Sequence, residues 1–179
     1  MPTQRTAHDL GAPASGSTRI GLISDTHGWL DPRAVEALER EQQLAAILHA
    51  GDIGETAQVL NELGAIAPVT AVLGNCDHGV VPGKPTLAVA RANFCGRTVL
   101  VIHNLRDLGP VPDGIDVVVH GHLHAPSMVR RNGVLLVNPG SASQCRRQPS
   151  CSVGVLEVLG DGTISARIIE LDDLGPRVR

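Results

Sequence analysis

Acidic, amide and imidazole side chains recur along this sequence in small groups, each placed just after an apolar run. The groups comprise Asp25 with His27, then Asp52, Asn75, His103, and finally His122 with His124. A mixture of imidazole and carboxylate suits Mn, Fe or Zn, whereas an all-oxygen set would suggest Mg or Ca. Two cations about 3.5–4 Å apart need an anionic bridge, which an aspartate supplies, and they lower the pKa of a bridging water towards neutrality. The residue types therefore predict metal-assisted hydrolysis.

Each group alone has an ordinary structural explanation. A single Asp-x-His is a weak signal, and a Gly-Asp pair after a strand, as at Gly51-Asp52, is commonly just a turn. The whole ordered set, with each group at the end of a predicted strand, is hard to explain without a metal. Glycines at Gly51, Gly74 and Gly121 would let the backbone turn so that the next side chain faces the site.

The elements that must position these groups follow from the apolar pattern of the first half. Apolar runs predict strands at residues 19–24, 45–50 and 69–73. A helix is predicted after Asp31, with Pro32 at its first position, and another over residues 55–63, closed by Gly64. Alternating strands and helices favour a largely parallel sheet. Ligands of such sheets bind beyond the carboxyl ends of the strands, so the polar groups should meet there.

The second half is predicted to be mostly strands. They cover residues 86–92, 97–102, 115–120, 128–131, 134–137, 153–159 and 163–171, with hairpin turns at Asn132-Gly133 and residues 160–162. The two halves together predict an α/β fold, with two mixed sheets packed face to face and helices outside. We expect residues 1–18 to be a flexible tail and residues 19–179 to be a single domain.

Composition narrows the classes of function. The chain has 179 residues, a formal net charge of −3 and only two aromatic residues, Trp29 and Phe94. Without basic tracks or stacking platforms, nucleic-acid binding is disfavoured. The four cysteines form no CxxC pair, and no apolar run reaches the ~20 residues of a membrane span. We therefore expect a cytoplasmic protein that acts on a small molecule, without a membrane segment.

Five motifs, read in order, resemble the calcineurin-like metallophosphoesterase signature. They are Ser24-Asp25-Thr26-His27, Gly51-Asp52, Gly74-Asn75-Cys76-Asp77, His103 and Gly121-His122-Leu123-His124. Asn138-Pro139-Gly140-Ser141, together with the cysteine in the third motif, is similar to the small YfcE-like phosphodiesterase branch. The resemblance spans nearly the whole chain and implies a four-layer αββα sandwich with a dinuclear site.

The resemblance also implies a role for each ligand. The first divalent metal would be held by Asp25, His27, Asp52 and His124. The second would be held by Asp52, Asn75, His103 and His122. Asp52 would bridge the two ions, which are commonly Mn, with Fe, Zn, Ni or Co as alternatives. A metal-bridging hydroxide would be the nucleophile, and Asn75, Asp77 and His122 make up the predicted catalytic set, Asp77 through hydrogen bonds around the ligands.

Two positions depart from the family pattern. Cys76 stands where many relatives have histidine, and a thiol is a poorer proton donor than an imidazole, so substrates with good leaving groups should be favoured. The metals or His78 would then assist the leaving group. Asn104 follows His103 where glycine is usual, although asparagine tolerates a left-handed backbone.

Several alternatives stay open. The predicted activity is that of a phosphodiesterase, but a phosphomonoesterase, a nucleotide phosphohydrolase or a non-catalytic interaction scaffold would have the same fold, and relatives often form homo-oligomers. His49 and His120 lie inside apolar strands and suit satisfied core residues better than support for a ligand. Arg146 and Arg147 could contact a substrate phosphate, although a solvated loop is the simpler explanation.

Overall fold

A computed structural model describes residues 9–10, 16–78 and 87–175 of the chain. The strands are β1 (Asp9–Leu10), β2 (Ser17–Ile23), β3 (Ala46–His49), β4 (Val69–Ala71), β5 (Val89–Phe94), β6 (Arg97–Ile102), β7 (Val117–Val119), β8 (Ser127–Arg131), β9 (Val134–Asn138), β10 (Ser152–Leu159) and β11 (Ile164–Glu170). The helices are α1 (Pro32–Arg40) and α2 (Gln58–Gly64), with the 3₁₀ turns η1 (Leu105–Leu108) and η2 (Leu171–Leu174).

The strands form two mixed sheets. One has five strands in the order β11-β10-β2-β3-β4, and the other has six in the order β1-β5-β6-β7-β9-β8. The pairs β2–β3, β3–β4, β6–β7 and β7–β9 are parallel, so the carboxyl ends of these strands lie at one edge of each sheet. The two hairpins are antiparallel, as predicted, and Asn132 and Gly133 both have positive φ, as a type I′ turn requires.

The core lies between the sheets and on their outer faces. Ile20, Leu22 and Leu48 of the five-stranded sheet share a buried cluster with Val99 and Val119 of the six-stranded sheet. On the other face of the five-stranded sheet, α1 and α2 bury a second cluster. The outer face of the six-stranded sheet is covered more thinly, by residues of η1 and the loop that follows it. The predicted fold class is confirmed. Among the described residues, the layer outside the six-stranded sheet is formed by a 3₁₀ turn and a loop instead of α-helices.

Some predicted boundaries need correction. Strand β2 begins at Ser17, and Asp9–Leu10 pairs in parallel with β5, so the tail predicted for residues 1–18 contains parts of both sheets. Part of this tail, residues 1–8 and 11–15, lies outside the described residues. The same holds for the predicted strand start at residue 86 and for the last four residues of the predicted domain. The single-domain boundary therefore stays a prediction.

Helix α2 also differs from its prediction. It begins at Gln58 instead of residue 55, and its cap, Ala65, keeps a right-handed helical backbone. Gly64 is therefore the last helical residue and not a left-handed terminator. No described helix is both long enough and apolar enough to cross a membrane.

Helix α1 is fixed by a buried ion pair that sequence patterns did not reveal. Asp31 caps the helix by accepting from the Arg33 backbone N–H at 3.0 Å, and its carboxylate also accepts from the Arg33 guanidinium at 2.9 Å. The same guanidinium donates to Asp172 of η2 at 2.8 Å and to the Gly175 carbonyl at 3.0 Å. These acidic partners raise the pKa of Arg33. One arginine thus joins the start of α1 to η2 and to the residue that follows it.

We expect Asp31→Ala to destabilise the protein strongly, because it removes the helix cap and leaves a buried arginine short of a partner. Loss of one partner of a buried pair costs about 3–5 kcal/mol. Glu36→Ala is a matched control on the same helix, since Glu36 pairs with Arg40 at the surface and such pairs contribute less than about 1 kcal/mol. Urea unfolding monitored by circular dichroism measures both. Equal losses in the two variants would contradict the role given to Asp31.

Candidate metal centre

The predicted ligands lie at the carboxyl ends of five strands, all at one edge of the sandwich. Asp25 and His27 follow β2, Asp52 follows β3, and Asn75 follows β4. From the six-stranded sheet, His103 follows β6, and His122 and His124 follow β7. The face-to-face packing of the sheets brings the two sets together.

One half of the cluster is buried. The Nε2 atom of His124 lies 3.2 Å from Asp25 Oδ1 and 3.1 Å from His27 Nε2. Asp25 is fully buried, and His124 is only 1% exposed. The ligand atoms of these three residues lie within 4.8 Å of one another, a spacing that can hold a metal ion.

The other half lies closer to solvent. The Asn75 Oδ1 atom is 3.1 Å from His103 Nε2 and 2.8 Å from His122 Nδ1. Asp52 sits between the halves, with Oδ2 3.4 Å from His103 Nε2 and 3.8 Å from His27 Nε2. All seven predicted ligands are therefore brought together, and the Asp52 carboxylate lies between the two halves.

Five of these ligands have a left-handed backbone. The φ values are 55° for Asp25, 48° for His27, 54° for Asp52, 71° for His122 and 54° for His124. This conformation is uncommon for residues other than glycine and costs about 1–3 kcal/mol for each residue. The sharp turns therefore occur at the ligands themselves, and the surrounding contacts must hold them.

The predicted role of the neighbouring glycines is correct only for Gly51, whose φ is 88°. Gly74 and Gly121 are not left-handed; they provide space. A Cβ at Gly74 would lie 2.1 Å from Asp52 Oδ1, and one at Gly121 would lie 1.9 Å from Ser24 Oγ and 2.7 Å from Asp25 Oδ2. Because glycine has no Cβ, the backbone at these two positions can pack directly against Asp52 and Asp25.

Asp77 clamps two ligand loops together. Its carboxylate accepts from the backbone N–H groups of Ile53 at 3.1 Å, Gly54 at 2.9 Å and Gly74 at 2.8 Å. These amides flank Asp52 and Asn75, so one buried side chain fixes the loops after β3 and β4. This contact pattern suits a residue that positions ligands better than one that touches substrate.

Residues after β9 hold the remaining ligand loops. Ser141 Oγ donates to the Asp25 carbonyl at 2.8 Å, and Ser143 Oγ donates to the Thr26 carbonyl at 2.7 Å. Asn138 Nδ2 donates to the Gly121 carbonyl at 3.0 Å. The sequence pointed to Asn138 and Ser141 only through a family resemblance, and it gave no signal for Ser143.

The donor set fits metal binding. The Nδ1 atoms of His103 and His124 each face a backbone carbonyl, Ala50 at 2.7 Å and Gln144 at 2.5 Å, so a proton on Nδ1 leaves Nε2 free to bind a cation. Asp25 Oδ1 is buried and has no hydrogen-bond partner among the described residues. Such an unsatisfied oxygen is costly unless a cation meets it.

The aspartates stay ionised despite their surroundings. Burial raises the pKa of Asp52, but the His103 imidazole, whose Nε2 lies 3.4 Å away, and a hydrogen bond from the Cys76 backbone outweigh it and hold the pKa well below its usual range. Burial also raises the pKa of Asp25, but contacts with His124 and Ser24 lower it by more, so the net change is a decrease. Both carboxylates are therefore available to a cation at neutral pH.

His49 and His120 differ in their hydrogen bonding. His49 Nδ1 accepts from the Gly51 N–H at 3.2 Å, and its Nε2 lies 3.0 Å from Thr26 Oγ1. Its ring is satisfied, as expected, and burial lowers its pKa to about 4, so it is neutral. The buried Nδ1 of His120, in contrast, has no hydrogen-bond partner among the described residues, so the satisfied ring expected there is wrong.

We expect Gly121→Ala to weaken metal binding sharply, because the new Cβ would displace Ser24 and Asp25. Gly64→Ala is the control: its Cβ meets nothing within 4 Å, and alanine in a helix is favourable by up to about 1 kcal/mol. The metal content after Mn²⁺ loading and desalting measures the difference. Full metal occupancy in Gly121→Ala would contradict the proposed packing.

Comparison with known proteins adds the family. Residues 18–161 match the family described as the calcineurin-like phosphoesterase superfamily domain. A probable metallophosphoesterase of Methanocaldococcus jannaschii is 30% identical, in an alignment that covers 88% of this chain and 84% of that protein.

Solved structures share the fold. YfcE, a phosphoesterase from E. coli, has a TM-score of 0.64 at 22% identity, covering 86% of this chain and all of that one. A protein described as an archaeal phosphodiesterase has a TM-score of 0.64 at 20% identity, covering 85% of this chain and all of that one. Vacuolar protein sorting 29 from Cryptosporidium parvum reaches 0.68 at 19%, with coverages of 87% and 98%. From its motifs, its sandwich and the family match, the chain belongs to the calcineurin-like phosphoesterase superfamily.

Proposed function

We propose that this protein is a metal-dependent phosphodiesterase that hydrolyses a small phosphoester at the cluster around Asp52. The observation that carries the proposal is the meeting of seven ligand side chains from five strand ends in two adjoining sets that share Asp52. Imidazole, carboxylate and amide ligands suit Mn²⁺, Fe²⁺ or Zn²⁺, and we propose Mn²⁺ as the activating ion.

Two bound divalent cations would supply a hydroxide nucleophile at neutral pH and neutralise the charge on the phosphate. The residues of the chain do the rest. Asp25, His27 and His124 form the inner end of the site, and Asn75 and His122 form the end open to solvent. His103 is also buried and lies between Asp52 and Asn75. Asp77 holds the loops that carry Asp52 and Asn75 in place by accepting hydrogen bonds from their backbone amides.

The overall reaction is balanced by one water. The bond between phosphorus and the leaving oxygen breaks, a bond between phosphorus and the water oxygen forms, and one water proton ends on the leaving alcohol.

Cys76 lies at the rim, where its Sγ accepts from Asn75 Nδ2 at 3.3 Å, and burial together with Asp52 raises the pKa of its thiol. His78 is exposed.

The space around the site supports a diester. A cavity of about 400 Å³ opens beside His27 and Cys76, and another of about 410 Å³ opens beside Asn75, His103 and His122. A phosphodiester carries two substituents, and the cluster has room on both sides. Leu73, Val89 and Ile102 make the second cavity largely apolar, which suits a carbon substituent.

The interaction-scaffold alternative is disfavoured by the complete ligand set. A pure binding platform has no need of five left-handed residues around two buried carboxylates. A small-molecule substrate, a cytoplasmic location, weak affinity for nucleic acid and a homo-oligomeric state are further parts of the proposal.

With Mn²⁺, we expect the protein to hydrolyse bis-p-nitrophenyl phosphate, and Asp52→Asn to reduce kcat by at least about 100-fold, because the amide cannot bridge two cations as an anion. Asp113→Asn is the control, since it makes the same change at an exposed loop at the opposite ends of the strands. Release of nitrophenolate is measured before and after chelation with EDTA. Unchanged activity in Asp52→Asn, or in EDTA, would contradict the proposed site.

The diester preference is tested separately. We expect kcat/KM for bis-p-nitrophenyl phosphate to exceed that for p-nitrophenyl phosphate by roughly tenfold or more, since a monoester leaves one cavity empty and brings an extra charge. The measurement is the rate of both substrates under one metal condition. A monoester that reacts as fast or faster would favour the phosphomonoesterase alternative.

A further inference from the structure

Cys76 lies against the metal centre but is not one of the seven predicted ligands. Its Sγ atom, a ring nitrogen of His27 and a carboxylate oxygen of Asp52 all lie within 4.8 Å of one another. Bonds from zinc to nitrogen, oxygen and sulfur measure about 2.0–2.3 Å, so small rotations of these side chains would bring all three atoms onto one ion. The cysteine therefore belongs to a further combination of metal-binding atoms, which shares two members with the predicted set.

The loop after β4 fixes Cys76 beside Asp52. The Cys76 backbone N–H donates to Asp52 Oδ1 at 2.8 Å, and Asp52 Oδ2 lies 3.8 Å from His27 Nε2. Asp77, the next residue, ties this loop to the one that carries Asp52 through the backbone amides that it binds. Main-chain hydrogen bonds thus restrict where the sulfur lies relative to the carboxylate.

The side chain of Asn75 has the orientation that a sulfur ligand needs. Its Nδ2 donates to Cys76 Sγ at 3.3 Å, while its Oδ1 faces His103 and His122. The amide thus turns its oxygen to the metal centre and its N–H to the sulfur. A hydrogen bond from an N–H group favours the thiolate form of a cysteine, which is the form that binds metals.

The sulfur approaches the site from the solvent side. Cys76 is exposed, and together with His27 it lines the cavity of about 400 Å³. Glu55 also lines this cavity, but among its described lining residues only His27 and Cys76 belong to a group close enough to hold one ion. Asp25 and His124, the other ligands of the inner end, are buried. An ion at the inner end would therefore meet the sulfur on the side of the cavity.

We propose that Cys76 is a metal ligand: its sulfur, together with His27 and Asp52, binds the ion at the inner end of the site and makes that position prefer Zn²⁺ to Mn²⁺. Thiolate is a soft ligand that suits Zn²⁺, whereas Mn²⁺ prefers oxygen ligands. A bound divalent cation deprotonates a coordinating thiol outright, and the proton is released to solvent. The inference rests on the metal centre of the proposed function but on no turnover.

Cobalt substitution detects the sulfur directly. Co²⁺ can replace Zn²⁺ in protein sites, and a thiolate bound to it gives a charge-transfer absorption band in the near ultraviolet that nitrogen and oxygen ligands do not give. We expect this band in the Co²⁺-loaded wild type and in the control Cys95→Ser, whose cysteine lies in the turn between β5 and β6, at the opposite end of β6 from His103. Cys76→Ser and Cys76→Ala should lack the band.

Metal affinities, measured by competition with a chelator, give a second readout. We expect the ratio of the Zn²⁺ affinity to the Mn²⁺ affinity to fall by at least about tenfold in Cys76→Ser, because Zn²⁺ loses a sulfur ligand whereas Mn²⁺ loses little. The control Cys95→Ser should keep the wild-type ratio.

A wild-type protein that binds Co²⁺ without the band would overturn the inference, and so would a band that persists in both Cys76 variants. An equal loss of Zn²⁺ and Mn²⁺ affinity in Cys76→Ser would also overturn it, because the residue would then support the site as a whole.

Hydrolysis of bis-p-nitrophenyl phosphate by the Mn²⁺-loaded wild type separates the inference from the proposed function. Hydrolysis without a cobalt band rejects the sulfur ligand alone. A band that depends on Cys76, without hydrolysis, supports the sulfur ligand and rejects the phosphodiesterase.

Discussion

The left-handed turn at the ligand residues is the constraint on which the rest of the site depends. A strand that ends in a ligand must reverse within one or two residues for the side chain to face inward. In this protein Asp25, His27, Asp52, His122 and His124 adopt the necessary φ themselves. The cost, about 1–3 kcal/mol for each, persists only because surrounding contacts hold the loops in place.

Those contacts have a common form: a polar side chain just outside the cluster binds the backbone of a ligand loop. Asp77 does so for the loops after β3 and β4, and Ser141 and Ser143 do so for the loop after β2. Backbone carbonyls in turn face the imidazoles of His103 and His124. The ligand geometry is thus built from main-chain hydrogen bonds, which sequence patterns do not display.

The sequence predicted the features that follow from periodic patterns and missed those that depend on individual tertiary contacts. Hydrophobic periodicity and turn residues predicted the two sheets and the hairpin at Asn132-Gly133, and the strand ends pointed to the seven side chains that the fold brings together. The early start of β2, the late start of α2 and the buried Arg33 network depend on tertiary contacts that no local pattern encodes. Gly74 and Gly121 were noticed for the wrong reason, because their lack of a side chain matters through a neighbour distant in the chain.

The buried cluster between the sheets contains none of the ligands. The apolar core and the candidate site are therefore built from different residues, and substitution of a left-handed ligand by glycine would relieve backbone cost without removing a core side chain. Such a substitution can abolish the chemistry while the protein stays folded, so a native fold in a variant is not evidence of a working site.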